Sequence, residues 1–148
     1  MMAAGAVSCA ADAWRTVREH AATAWPCEAC GLLIGHAAPE GWRIVRAAPT
    51  ANRARDPAQA FELDPAARAA WQRRLREAGG AEAVIGHYHS HPGGAPRPSA
   101  ADRARAEEPG LVWLIVAADA AGAGAAAAFF AEAEHALRGV SFLPDADP

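Results

Sequence analysis

GHYHSHPGGAPRPSAAD, residues 86–102 of a chain of 148, reads as the end of a β-strand, a turning loop and the start of a helix. His89 and His91 are two apart, and strand side chains alternate faces, so both imidazoles point the same way. Pro92 closes the strand. Gly93, Gly94, Pro96 and Pro98 make the loop, and Ser99 caps a helix whose first turn carries Asp102. The chain thereby returns a carboxylate to two histidines.

Two imidazoles and one carboxylate suit Zn²⁺, and three protein ligands leave a fourth tetrahedral position for water, the arrangement of a catalytic rather than a structural site. The expected metal ligands are therefore His89, His91 and Asp102. Ser99 with an acid three residues on is also close to a capping box, which by itself explains both residues without metal. The two roles are compatible, since a fixed helix start aims the carboxylate. A water on zinc needs a base. Glu28 lies far upstream in CEACGLLIG, just before the apolar Leu32, Leu33 and Ile34, where an acid has no packing reason to be.

EACGLLIG, followed later by HSHP, six residues and SAAD, resembles the JAMM (MPN-plus) zinc metallopeptidases. FELDP at 61–65 and LVWLIVAAD at 111–119 are similar to its short prokaryotic branch, and the resemblance covers roughly residues 10 to 118. It implies an α/β fold of the α+β, cytidine-deaminase-like kind, with a central mixed β-sheet flanked by helices in a single domain over 1–148. It also implies Glu28 as catalytic base, with Ser99 either capping its helix or also stabilising the oxyanion. The implied reaction is hydrolysis of a peptide or isopeptide bond at the C-terminal glycine of a small ubiquitin-like or sulfur-carrier protein. The branch that removes an amino acid such as cysteine from such carriers is the best match, because the chain is too short for ubiquitin-clasping insertions. An extended tail ending in Gly-Gly is expected to bind by strand addition at a sheet edge.

His87 departs from the family pattern, which is usually aliphatic or aromatic there. In a regular strand it shares a face with His89 and His91, but Pro92, Ser99 and Asp102 match the family only when His89 and His91 are the pair. A second-layer or partly buried role is expected for it, with metal contact requiring a distorted strand. Ser90 faces the other way and reads as structural, and His20, His36 and His135 as surface or helix residues.

Composition narrows the alternatives. The chain is 52% apolar and 21% charged with a net charge of −3, which fits one globular domain and argues against nucleic acid, whose phosphates draw clustered cations. All 14 basic residues are arginine. No signal peptide is expected, since Asp12, Arg15, Arg18 and Glu19 interrupt the apolar start, and Asp119, Glu132 and Glu134 argue against a membrane span in the alanine-rich tail. A cytoplasmic enzyme is expected. Cys9, Cys27 and Cys30 read as reduced thiols, the last two as small apolar residues rather than a redox or zinc pair. Two other classes share the fold: an inert MPN-type binding scaffold, which typically loses the histidines or the glutamate, and a RadC-like DNA-associated protein, which the acidic balance disfavours.

Periodicity and breakers predict a helix over 10–24, a hairpin of strands 31–35 and 42–48 about the turn HAAPEG, and a polar loop over 49–60. Further on they predict a short strand end at 61–63, a helix from Asp64 and Pro65 to about Glu77, the motif strand 83–89, the motif helix 99–107 and a buried strand 111–118. Residues 125–136 have helical propensity, but the resemblance implies a last antiparallel pair there. The five tryptophans are expected to pack or edge the core, Trp113 most securely.

Overall fold

The computed structural model describes residues 5–147. Its strands are β1 (Ala6–Cys9), β2 (Cys30–Ala38), β3 (Gly41–Thr50), β4 (Ala83–Pro92), β5 (Val112–Asp119), β6 (Gly122–Ala133) and β7 (Ala136–Pro144), and its helices α1 (Ala11–Ala24), α2 (Pro65–Ala78) and α3 (Ala100–Arg105). The strands run β1-β3-β2-β4-β5-β6-β7 and close into a barrel through β1, which pairs in parallel with both β3 and β7. The sheet is mixed, as expected, since β4 and β5 are also parallel while the remaining neighbours are antiparallel.

Helix α1 carries Ala13, Val17 and Ala21 four apart, and this stripe packs on Val7, Leu33, Ile44, Tyr88, Leu114 and Val116 of the strands. Ala123, Ala126 and Ala128 of β6 join that cluster, and small side chains on β6 allow a helix to lie close. Tertiary packing thus overrides the helical propensity of the alanine run, and 122–144 forms the antiparallel pair. On the opposite face, Trp71 and Leu75 of α2 cover Leu32, Ile34 and Val84. Asp64 caps α2 through a 2.9 Å bond from the Ala66 amide, Pro65 opens it, and Gly79 closes it at φ +73°, where a residue lacking Cβ is favoured.

Several boundaries differ from the sequence expectation. The hairpin turn narrows to Pro39 and Glu40, because pairing continues through Ala38 and Gly41. The motif strand extends to Pro92, and the motif helix stops at Arg105. Residues 61–63 form no strand. The Ala60 carbonyl and the Glu62 amide bond instead to the side chain of Asn52. Trp113 is buried, but Trp25 is 40% exposed and belongs to neither core nor edge. Strand β1 had no counterpart in the sequence reading.

Ile85 is an extra residue in β4, since Leu33 pairs with Gly86 and Ile34 with Val84. Such a bulge shifts the alternation by one, so Ile85 and Tyr88 share the α1 face while Val84 lies on the other. Gly86 follows at a point where β5 presses close, and a Cβ there would overlap the carbonyl oxygen of Val112. Gly86→Ala is therefore expected to pry β4 from β5 and cost about 3 kcal/mol, read as a lowered denaturant midpoint.

Candidate metal centre

Strand β4 delivers His89 and His91 on one face, and α3 delivers Asp102. The Nε2 atoms of the two histidines lie 3.1 Å apart, and Asp102 Oδ2 lies 3.4 Å from His89 Nε2 and 3.0 Å from His91 Nε2. A tetrahedral ion with bonds of about 2.0–2.1 Å requires ligand atoms roughly 3.3 Å apart, so the three atoms are spaced as that ion needs. His89 is fully buried and Asp102 is 6% exposed.

Each candidate ligand is oriented by its own contacts. His91 Nδ1 lies 2.9 Å from the Ala95 carbonyl, so that nitrogen donates and leaves the Nε2 lone pair for a metal. The ring of His89 stacks on Phe61 at 4.2 Å and 17°. Asp102 closes a full capping box. Its amide donates to Ser99 Oγ at 3.0 Å, and its Oδ2 accepts from the Ser99 amide at 2.9 Å. The atom that caps α3 thus also faces both histidines.

Glu28 comes from the loop before β2. Its carboxylate lies within 4.8 Å of His89 and His91 nitrogens, close enough that these three side chains could also hold an ion between them. The side chain is 8% exposed, and its Oε1 is buried without a hydrogen-bond partner. A buried orphan oxygen costs about 1–3 kcal/mol, which marks a place built to receive a water or a ligand. Burial raises the Glu28 pKa to about 7, against the opposing pull of His91. Asp102 stays far below the ordinary carboxylate range, because its bonds to the two histidines outweigh burial. Burial lowers the pKa of His89, whereas for His91 the contacts with Asp102 and Ala95 overcome burial and raise it. Two carboxylates at one site thus hold opposite protonation tendencies, the pattern that separates a proton acceptor from a ligand.

The Glu28 loop is tied down on three sides. The Glu28 amide donates to the Pro57 carbonyl at 2.8 Å, and the Glu28 carbonyl accepts from Asn52 Nδ2 at 3.0 Å. Next to it, the Ala29 amide donates to Ser90 Oγ at 2.8 Å and the Ala29 carbonyl accepts from the Ser90 amide at 3.0 Å. Ser90 is structural, as expected from its direction. Asn52 went unnoticed in the sequence. It donates a second bond to the Ala60 carbonyl at 2.9 Å and accepts from the Ala54 and Glu62 amides, each at 3.0 Å. Its hydrogen-bonding capacity thus joins the Glu28 loop to the segment carrying Phe61.

His87 shares the outward face of β4 but stays apart from the ligand triangle. It packs against Trp113 at 4.5 Å and Phe61 at 5.7 Å, and burial lowers its pKa to about 3. His20 bonds to the Tyr88 hydroxyl at 2.7 Å, and Cys9, Cys27 and Cys30 are free thiols.

The family described as prokaryotic homologs of the JAB domain matches residues 10–131. The chain belongs to this family. It is the prokaryotic branch of the JAMM group to which the two motifs pointed, and the match reaches beyond the span read from the sequence. The chain is 39% identical over 122 residues to a protein named Desampylase from Haloferax volcanii, covering 80% of this chain and 85% of that protein. The fold is similar to the solution structure of a Desulfitobacterium hafniense protein, with a TM-score of 0.80 and 26% identity over 95% of this chain and 94% of the other. A crystal structure of a JAB1/MPN domain protein from Archaeoglobus fulgidus, at 18% identity, shares the fold with a TM-score of 0.59 over 95% and 98% of the two chains. Among the described residues, no helix is long and apolar enough to cross a membrane.

Two outcomes are expected from the loop. Asn52→Asp keeps the shape but loses both donors, and it should destabilise the protein by about 2 kcal/mol in equilibrium denaturation. In the metal-free protein Glu28 has a folded pKa raised from 4.5 to about 7, so its contribution is present at low pH and is lost as pH rises across that window. The stability of Glu28→Gln relative to the wild-type chain should therefore increase between pH 4.5 and 8 in the presence of a chelator.

Proposed function

We propose that the protein is a zinc-dependent hydrolase that cleaves a peptide or isopeptide bond at the C-terminal glycine of a small ubiquitin-like or sulfur-carrier protein. The observation that carries this reading is the triangle of His89, His91 and Asp102 with a buried, unpartnered Glu28 oxygen beside it. The relative named Desampylase supports the substrate class, since that word denotes removal of a small archaeal ubiquitin-like modifier.

His89, His91 and Asp102 would hold the metal. Zinc held there would supply Lewis acidity, lowering the pKa of a water toward neutrality and polarising a carbonyl. Glu28 takes the proton of the attacking water and hands it to the departing amine, a task suited to a carboxylate whose pKa lies near the working pH. Ser99 Oγ accepts from the Asp102 amide, so its own proton is free to be donated to the developing oxyanion. Asn52 and Ser90 keep Glu28 in register with β4. The whole of 1–148 acts as a single JAMM domain, working in the cytoplasm on a carrier with a Gly-Gly tail.

Strand addition beside the ligands, the expectation from sequence, has no free edge to use: β4 lies between β2 and β5. The tail is instead held by the 51–64 segment and the surface that it shares with β4 and β5.

Elemental analysis should find about one zinc per chain, lost in His89→Ala and His91→Ala and kept in His87→Ala. Glu28→Gln should keep zinc while turnover of a carrier bearing cysteine or a lysine-linked peptide on its last glycine falls at least about a hundredfold. Zinc retained in His89→Ala but lost in His87→Ala would overturn the ligand assignment, and equal cleavage of unrelated unfolded peptides would overturn the carrier.

A further inference from the structure

His87 has no task in the chemistry above, yet it is buried and its Nδ1 has no hydrogen-bond partner. The ring lines a cleft of about 670 Å³ together with Phe61, Leu63 and Trp113. Phe61 stands against both this cleft and the centre, since it also stacks on His89. Arg55, Asp56, Glu62 and Arg105 line the same cleft but are exposed, so charges of both signs sit at its mouth while the interior is aromatic, aliphatic and uncharged.

The place of the cleft relative to the chemistry follows from the strand order. Glu28, which returns the proton to the leaving amine, precedes β2 on one side of β4. Trp113 lies on β5, on the other side, and pairs in register with His87. Cys30 pairs with His89 in the antiparallel register, so Glu28 lies toward the His91 end of β4 and His87 on the other side of His89. With the amine on the Glu28 side, the acyl chain leads along β4 toward His87 and the cleft it shares with Trp113. Two residues separate His87 from His89, about 7 Å along a strand. In an extended tail, the side chain two residues before the terminal glycine projects in the same direction as that glycine's position and lies the same distance away.

We propose that this cleft is the subsite for the third residue from the end of the carrier tail, that it takes an uncharged side chain with an apolar body, and that His87 determines this specificity. The proposal rests on the hydrolase reading given above. A charged side chain would lose its hydration between Phe61 and Trp113 without meeting a buried counter-charge. An apolar one buries its surface against them, and a polar tip finds the imidazole, whose Nδ1 has no partner.

The test uses the zinc-loaded full chain carrying Glu28→Gln, so that binding is read without turnover, and tail peptides ending in X-Gly-Gly. Calorimetry should show X = Leu or Tyr binding at least about tenfold tighter than X = Gly, with X = Arg or Asp no tighter than Gly. Adding His87→Trp fills the cleft and should abolish the preference while leaving the X = Gly affinity and the zinc content unchanged. Adding His87→Leu leaves the cleft open and should keep the preference for Leu while weakening X = Gln relative to Leu. Binding indifferent to X, or an equal loss for every X in His87→Trp, would overturn the subsite. Failure of the wild-type chain to cleave any carrier conjugate would overturn the hydrolase reading instead, a separate outcome because peptide selectivity is measured independently of cleavage.

Discussion

The position of one oxygen, Asp102 Oδ2, organises the centre. It accepts the amide of Ser99, which fixes where α3 begins, and it faces the Nε2 atoms of both histidines, which fixes where α3 sits against β4. A helix of one and a half turns has little stability of its own. Its capping box and this contact to the strand therefore carry much of its placement, and the six-residue loop between Pro92 and Ser99 needs only to span the gap. Local structure and site geometry are the same set of bonds here, so neither can shift without the other.

Glu28 is held differently, by backbone rather than by partners of its carboxylate. Its amide and carbonyl are both engaged, and its neighbour Ala29 is clamped to Ser90 between the two histidines. The side chain is left unbonded at Oε1 in a buried setting. A rigid main chain beneath an unsatisfied carboxylate keeps the group aimed while leaving its lone pairs available, the arrangement that the proposed role of proton acceptor requires.

Much of this was legible in the sequence because the residue types are costly elsewhere. Two histidines two apart, a proline stop, and a Ser with an Asp three residues later each have a local geometric meaning. The asparagine that secures the Glu28 loop has none, since a lone Asn between Thr50 and Arg53 reads as an ordinary turn former and its partners lie up to 24 residues away. Strand β1 is only four residues long, too short for alternation to register. The alanines of β6 have helical propensity, and the strand pair expected there came from the resemblance alone, because the value of those alanines lies in letting α1 approach, a property of tertiary packing. His87 was legible as an anomaly of the motif, and the cleft it lines became visible only once Phe61 and Trp113 were brought beside it.

The closure of the barrel bears on how the protein comes to be folded. Four residues of β1 bridge β3 and β7, and Ala6 pairs with Ser141 across 135 positions of chain. During synthesis β1 can meet β3 early, but it must wait for β7 before its other side is paired. Contacts of such separation are slow to form, and until then β1 and β7 each expose an unsatisfied backbone edge. The ligand strand β4 and its partners β2 and β5 need none of those late contacts. The centre can therefore take shape while the seam is still open, and sealing the seam is a step that follows it.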